Sequence, residues 1–489
     1  MWRLIAAVLL LVIILLIWQR RQRDATRRQK CYEPLPQHQP FEPFMGLDFQ
    51  AVIHQDISSL HRFHQRYGHS FQVNTLASTP SILTIHPGNV RVINVRDHDW
   101  GIQPARLPGM EFFCGRGFLA MDGDVWRYSR KLLRPSFNRS NLVDLSILSH
   151  EMDKLIENLP EEGTTVDLQP LFYIVFLNTS LHFLLGISDD KQDNAPCAPE
   201  EFVQSFHDAL FFTGVRLVLG RIWNFLPQGK YLRACKTAHD YLNYHINQAL
   251  NGEDTPQQGS KSSATRSLVQ GLSSQTDDPE FIRSQIIQGM MASQETTSSL
   301  LGNTFFLLSQ HPSYWQQIRT EVLEKGDDML DFDTLLESKI LQNVLLESLR
   351  LYPVFPLMGR TALRDTFLPF GGGPNHDAPI FVPRGTHADI SYHALHRDPR
   401  VFGNDVESFR PERWDSITPR QWEFMGFGGG SRACLGRQKS LAEAAYVLAR
   451  MAMKYGMLES RDGEEWKGEM KLTCKSANGC KVSLYKAGK

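Results

Sequence analysis

A surplus of charge of either sign is missing from this sequence: 52 lysines and arginines stand against 53 aspartates and glutamates, leaving −1 at neutral pH. Without a long-range field nothing draws the chain onto a polyanion, and nucleic acid is excluded as an expected partner. Cysteine is scarce too. Seven are scattered over 489 residues, an odd number with no disulfide framework in it, so the globular part is expected in a reducing compartment. No Cys-x-x-Cys or Cys-x-x-His surrounds Cys434, and the nearest cysteines, Cys474 and Cys480, are forty or more residues away, which argues against a zinc site there. No internal repeat is visible. With 42% hydrophobic residues the chain has material for a large core, and length alone would allow two to four domains of roughly 150 residues each.

Leu4 to Trp18 is an unbroken apolar run without Gly or Pro, followed by Arg20, Arg21, Arg23, Arg27, Arg28 and Lys30. The run is short of the roughly 20 residues of a full span, so a cleaved signal peptide competes with an anchor. No small-x-small site follows, and the positive charge lies behind the run, which keeps that flank cytosolic and puts the N-terminus in the lumen. Trp2 and Trp18 suit the two interfaces of a thin endoplasmic-reticulum bilayer of roughly 27 Å. The expected division is a signal-anchor over 1–19, a basic flank with a stiff hinge (Pro34, Pro36, Pro40, Pro43) over 20–45, and a globular part over 46–489. The sequons at Asn138 and Asn178 would then go unused.

The stretch around which the chain is organised is Phe427-Gly-Gly-Gly-Ser-Arg-Ala-Cys434-Leu-Gly436. Its glycines permit tight turns, and the run from about Ser440 to Met453 places Leu441, Ala444, Ala445, Leu448 and Ala452 on one helical face. A cysteine just ahead of a helix N-terminus, with Arg432 two residues away, is expected as thiolate and suits a metal. Gly428, Gly430 and Ala433 also fit a loose dinucleotide loop, but no β-branched strand precedes them. A free structural cysteine is the plain alternative.

Further along the chain, Phe71 to Ile85 reads as short strands, and Gly101 to Ala120 as a Gly-, Pro- and Phe-rich loop without a period. Gly123 to Pro135 opens a helix with Trp126 and Arg130 on one face, where a surface cation–π pair is one reading. Residues 165–250 read as several helices, Asn251 to Arg266 as a polar loop. Phe281 to Gln310 is the longest helical candidate. It carries the polar cluster Ala292-Ser-Gln-Glu295-Thr296-Thr297, which is costly to bury unless paired or used. Leu341 to Tyr352 is a helix with Glu347 and Arg350 three apart, followed later by Phe409-Arg-Pro-Glu-Arg413-Trp414. Phe370-Gly-Gly-Gly-Pro reads as a turn, Ile380 to Tyr392 as short strands, and His393 and His396 as structural.

The pattern F-x-x-G-x-R-x-C-x-G, filled by Phe427, Gly430, Arg432, Cys434 and Gly436, resembles the cysteine-ligand loop of the cytochrome P-450 haem-thiolate monooxygenases. The other motifs follow the family's order: W-x-x-x-R at Trp126 and Arg130, [A/G]-G-x-[D/E]-T-[T/S] at Ala292–Thr297 with Ser293 for the usual glycine, E-x-x-R at Glu347 and Arg350, and F-x-P-x-R-[FW] ending at Arg413 and Trp414. The resemblance implies a mainly α fold with small β-sheets, the cytochrome P-450 fold with its triangular helical haem-binding domain, behind a single N-terminal transmembrane anchor. It implies haem b held by Cys434, with Trp126, Arg130 and Arg360 toward the propionates and Arg432, Phe427 and Gly436 as further cofactor-binding residues of the loop. It also implies proton relay by Glu295 and Thr296, which interrupt the long helix, and a buried triad of Glu347, Arg350 and Arg413.

Electrons are then expected from an NADPH–cytochrome reductase, with or without cytochrome b5, for O2-dependent oxidation of C–H bonds at the endoplasmic-reticulum membrane. The Leu-Tyr-Pro segment, the Gly-Gly-Gly turn and the Phe-Arg-Pro-Glu-Arg-Trp block look most like the fungal n-alkane and fatty-acid hydroxylase branch, which implies a lipophilic substrate or a secondary metabolite. A haem-thiolate isomerase or dehydratase and a noncatalytic haem protein are the alternatives.

Overall fold

The computed structural model describes residues 32–38, 47–73, 81–187, 195–251, 266–471 and 473–486. The expected anchor, its basic flank, Pro40 and Pro43 of the hinge, and most of the polar stretch between Asn251 and Arg266 lie outside the described residues. The globular part forms two compact units.

One unit contains Ser58–Gly101 and Leu357–Leu395, and is organised by a five-stranded sheet. The strands run in the order Ser70–Val73, Ser81–Thr84, His387–Ser391, Leu357–Ala362, Trp100–Gly101. Ser81–Thr84 and His387–Ser391 pair in parallel, the other neighbours antiparallel. Beside this sheet, Thr366–Gly372 pairs with Ala378–Val382. The glycines expected to form a turn therefore lie largely in a strand. The chain reverses only at Gly373 and His376, both at positive φ (74° and 59°), because cross-strand bonding of Gly371 to His376 extends the ladder.

The larger unit, with Ile102–Pro356 and His396–Lys489, is helical, with two small sheets at its C-terminal end. Its central helix, Pro279–Gln310, starts where Asp278 accepts from the Glu280 and Phe281 N–H groups and where Pro279 needs no amide bond. It stops before Pro312. From Thr297 to Ser309 every residue is buried, the mark of a helix surrounded by protein. Among the described residues, Leu168–Leu185 is the one helix long and apolar enough to cross a membrane. Here it is a core element, with Phe172 packed on Phe305 of the central helix at 5.0 Å between ring centroids.

The segment read as a loop over 101–120 instead contains the helix Gln103–Cys114. Pro104 sits in its first turn, where a missing N–H is harmless, and Pro108 removes one later bond, compensated by burial of Met110 and Phe113. Proline and glycine hid its period. At the other end of the core, Trp315 is fully buried against Phe305. Trp315→Ala is expected to lower unfolding stability by about 3–5 kcal/mol, read by denaturant unfolding.

Candidate functional site

Gly428 and Gly430 take φ of 69° and 68°, which side chains disfavour, and so fold the chain back until the Cys434 N–H donates to the Phe427 carbonyl at 3.0 Å. The helix Arg437–Lys454 begins three residues later. The Cys434 side chain lies deep yet retains an accessible face. Burial pushes its thiol above the usual range, against the opposing pull of the Gly436 N–H and of Arg130 and Arg437. Arg432, two residues before the sulfur, is engaged elsewhere.

That engagement is with Asp122, at 2.6 Å, and with the Met121 carbonyl, while the guanidinium lies 4.3 Å from the Trp126 ring centre. Arg130, on the helix Gly123–Leu133, donates to the Ala433 carbonyl at 2.7 Å and also flanks Trp126. Trp126, Arg130, Arg432 and Cys434 are thereby brought to one place. Asp122 had no sequence signal beyond its position before a helix; its carboxylate also accepts from the N–H groups of Ile102 and Gln103. Arg360 lies in the sheet-based unit, on Leu357–Ala362, where it is buried and donates to the Gly359 carbonyl.

Glu347, Arg350 and Arg413 meet with no solvent exposure. Arg350 binds Glu347 through two nitrogens at 2.8 and 2.9 Å, and Arg413 donates from Nε at 2.8 Å. The Arg410 N–H and the Trp414 indole complete the carboxylate's shell. The remaining guanidinium N–H groups bond carbonyls of His396, Phe402, Asp405, Val406 and Ser408, fixing the meander between two motifs. His396 then accepts from the Met425 N–H at 2.9 Å, two residues before the cysteine loop. Burial, with help from the charges of Arg350 and Arg397, holds its pKa down to about 3, so it stays a neutral acceptor. His396 carried no spacing that would have marked it, whereas Trp414 closes the F-x-P-x-R-[FW] pattern.

The central helix runs unbroken through Ala292–Thr297, which corrects the expected interruption. Ser293 and Thr296 return their hydroxyls to the carbonyls of Gly289 and Ala292 at 3.0 and 2.7 Å, satisfying the backbone locally. Glu295 and Thr296 are half-buried, and Thr297 bonds Ser440 of the helix after Cys434 at 3.0 Å. One turn earlier, Gln288 accepts from the Leu119 N–H and donates to the carbonyls of Cys114 and Gly115, while Gln285 accepts from the Phe118 N–H.

Residues 36–478 match the family described as Cytochrome P450. The chain belongs to the cytochrome P450 family. Among curated relatives of this P450, the Cytochrome P450 monooxygenase FPY7 of Fusarium mangiferae is 33% identical, covering 99% of this chain and 96% of its own length. The Cytochrome P450 monooxygenase himC of Aspergillus japonicus is 34% identical (98% and 88%), and Cytochrome P450 52E1 of Candida apicola 33% (79% and 77%). Membership makes the protein a haem-thiolate monooxygenase with haem as cofactor, working with O2 and a redox partner. The residues present fit that group: a sulfur donor with one open face, and guanidinium and indole groups suited to carboxylates.

Two outcomes follow. Glu347→Ala would leave two buried guanidinium groups without their carboxylate, and is expected to lower stability by about 3–5 kcal/mol and to reduce haem content, read by unfolding and by absorbance of the purified protein. Between about pH 6.5 and pH 3 the unfolded chain protonates position 396 while the folded chain does not, so stability falls with pH there. His396→Gln is expected to flatten that fall, by about 2 kcal/mol at pH 5, in urea unfolding compared with pH 7.5.

Proposed function

We propose that this P450 hydroxylates or otherwise oxidises C–H bonds of a lipophilic substrate, of fatty-acid or alkane type or a secondary metabolite, with a haem that Cys434 would hold. The observation that carries the reading is the fixed presentation of Cys434 by its glycine loop, next to a helix tied to the Glu295–Thr296 segment through Thr297 and Ser440. Bound there, haem supplies the oxidising power that inserts one oxygen atom of O2 into the substrate.

The chain's own residues do the rest. Arg130, Arg432 and Trp126 would hold the haem, and Arg360 is assigned to a propionate. Phe427 and Gly436 keep the loop's shape, and the Glu347–Arg350–Arg413 cluster holds the segment before it. Glu295 and the Thr296 hydroxyl would relay protons to dioxygen. The retention of this acid–alcohol pair favours oxygenation over the isomerase or dehydratase reading, and over a noncatalytic haem protein.

The rim of the cleft beside Trp126 and Leu435 carries the exposed cations Arg127, Lys131 and Arg134. That rim would receive the acidic surface of an NADPH–cytochrome reductase, with or without cytochrome b5. Residues 1–19 would anchor the chain in the endoplasmic-reticulum membrane, 20–45 would act as the hinge, and 46–489 as the cytosolic catalytic domain. Exposed Phe211, Leu217, Val218, Phe225 and Leu226 support contact of the catalytic part with a bilayer that delivers the substrate.

The test is the carbon-monoxide difference spectrum of the reduced protein, followed by reductase-dependent NADPH consumption with fatty acids, alkanes and polyketide-like compounds. Cys434→Ala is expected to lose the thiolate signature and all product. Retention of both by the variant would sink the proposal.

A further inference from the structure

Asp122 has no task in the reading above, yet its carboxylate serves two distant parts of the chain. Oδ1 accepts from the Ile102 N–H at 3.0 Å and from the Arg432 guanidinium at 2.6 Å, and Oδ2 accepts from the Gln103 N–H at 2.9 Å. In return the Asp122 N–H donates to the Gln103 side-chain oxygen at 3.1 Å. The two backbone donors lie at the start of the helix Gln103–Cys114, whose positive end suits an anion. Holding that helix start asks for no charge, since an asparagine oxygen with its two lone pairs would accept the same two N–H bonds. What calls for a carboxylate is Arg432.

Which group positions the other follows from how each is anchored. The segment carrying Asp122 is fixed at its start by the exchange with Gln103, and further along by Gln285 and Gln288, which bond Phe118, Leu119, Cys114 and Gly115. Asp122 is thus a fixed point, and the long Arg432 side chain comes to it from the cysteine loop. There the guanidinium also donates to the Met121 carbonyl at 3.0 Å and lies over the Trp126 ring. The Arg432 and Asp122 side chains are only 13% and 14% exposed, so water and salt screen either charge weakly and each is compensated chiefly by the other. The cations that act on the Cys434 sulfur are Arg130 and Arg437.

We propose that Asp122 is a positioning residue of the cofactor site: it holds Arg432 against Trp126 and offsets its charge, and thereby keeps the reduction potential of a haem held by Cys434 below the value that an uncompensated guanidinium would give it. This role rests on the reading of Cys434 as the residue that holds the haem. Reduction places one electron, supplied by the redox partner, beside the cysteine loop, and no covalent bond changes. A bare positive charge on that loop would favour the reduced form. Asp122 removes the bias.

The test is a spectroelectrochemical titration of the full-length, haem-loaded protein, without turnover. Asp122→Asn keeps an oxygen for the helix start and removes the charge, and its ratio of reduced to oxidised haem at a fixed potential should rise on the order of tenfold, about 59 mV for one electron. Asp122→Glu, which restores the charge, should reverse most of that rise. Arg432→Gln should shift the ratio the opposite way, and the double variant Asp122→Asn with Arg432→Gln should return toward the unaltered value, because the charges removed cancel. A contact that merely held the loop in shape would move both single variants in one direction and give no return in the pair. Gln103→Ala removes the reciprocal bond but keeps both charges, and should leave the potential where it was.

An unmoved or lowered potential in Asp122→Asn overturns the role, as does an equal shift in Gln103→Ala, or a shift of both single variants in the same direction. Loss of haem by Asp122→Asn overturns it too, since the carboxylate then acts on assembly of the site rather than on its charge. Should Arg432→Gln fail to hold haem, the other three single variants decide: a rise in Asp122→Asn alone supports the role, and any other pattern overturns it. In every such failure the oxygenase reading stands, because it falls only with retention of spectrum and product by Cys434→Ala.

Discussion

A carboxylate shut away from water persists as an anion only if donors replace its hydration, and Glu347 has five: two from Arg350, one from Arg413, the Arg410 amide and the Trp414 indole. Those two arginines then spend their other N–H groups on carbonyls between His396 and Ser408, so one buried charge orders a meander that has little regular structure of its own. His396 hands that order to Met425, and the Phe427 carbonyl hands it to the Cys434 amide. The position of a single sulfur is thus set by a chain of hydrogen bonds that begins on another helix.

The opposite side of the site is governed by the central helix. Its burial on all sides along the second half makes it a rigid post, and the bond between Thr297 and Ser440 joins that post to the helix after the cysteine. Ser293, where relatives of the motif carry glycine, bonds its own backbone instead of opening it. Polar side chains on this helix therefore reach outward to neighbours, Gln294 to His207 and Gln288 to the loop before Asp122.

What the sequence made legible was whatever is local or patterned. The glycine spacing around Cys434, the three-residue step from Glu347 to Arg350 and the apolar period of Pro279–Gln310 each follow from rules acting over one or two turns. What stayed hidden depends on contacts across hundreds of residues. Arg432 and Asp122 are 310 positions apart, and no local rule pairs them. The helix Gln103–Cys114 was masked by prolines whose harm depends on which turn they occupy.

Gln288 grips the segment from Cys114 to Leu119 at three backbone points, and Gln285 adds a fourth. A segment pinned by amide side chains to a helix buried on all sides cannot swing aside without breaking those bonds. Displacement of residues 114–119 is thereby coupled to displacement of the helix itself, over the reach of two glutamines.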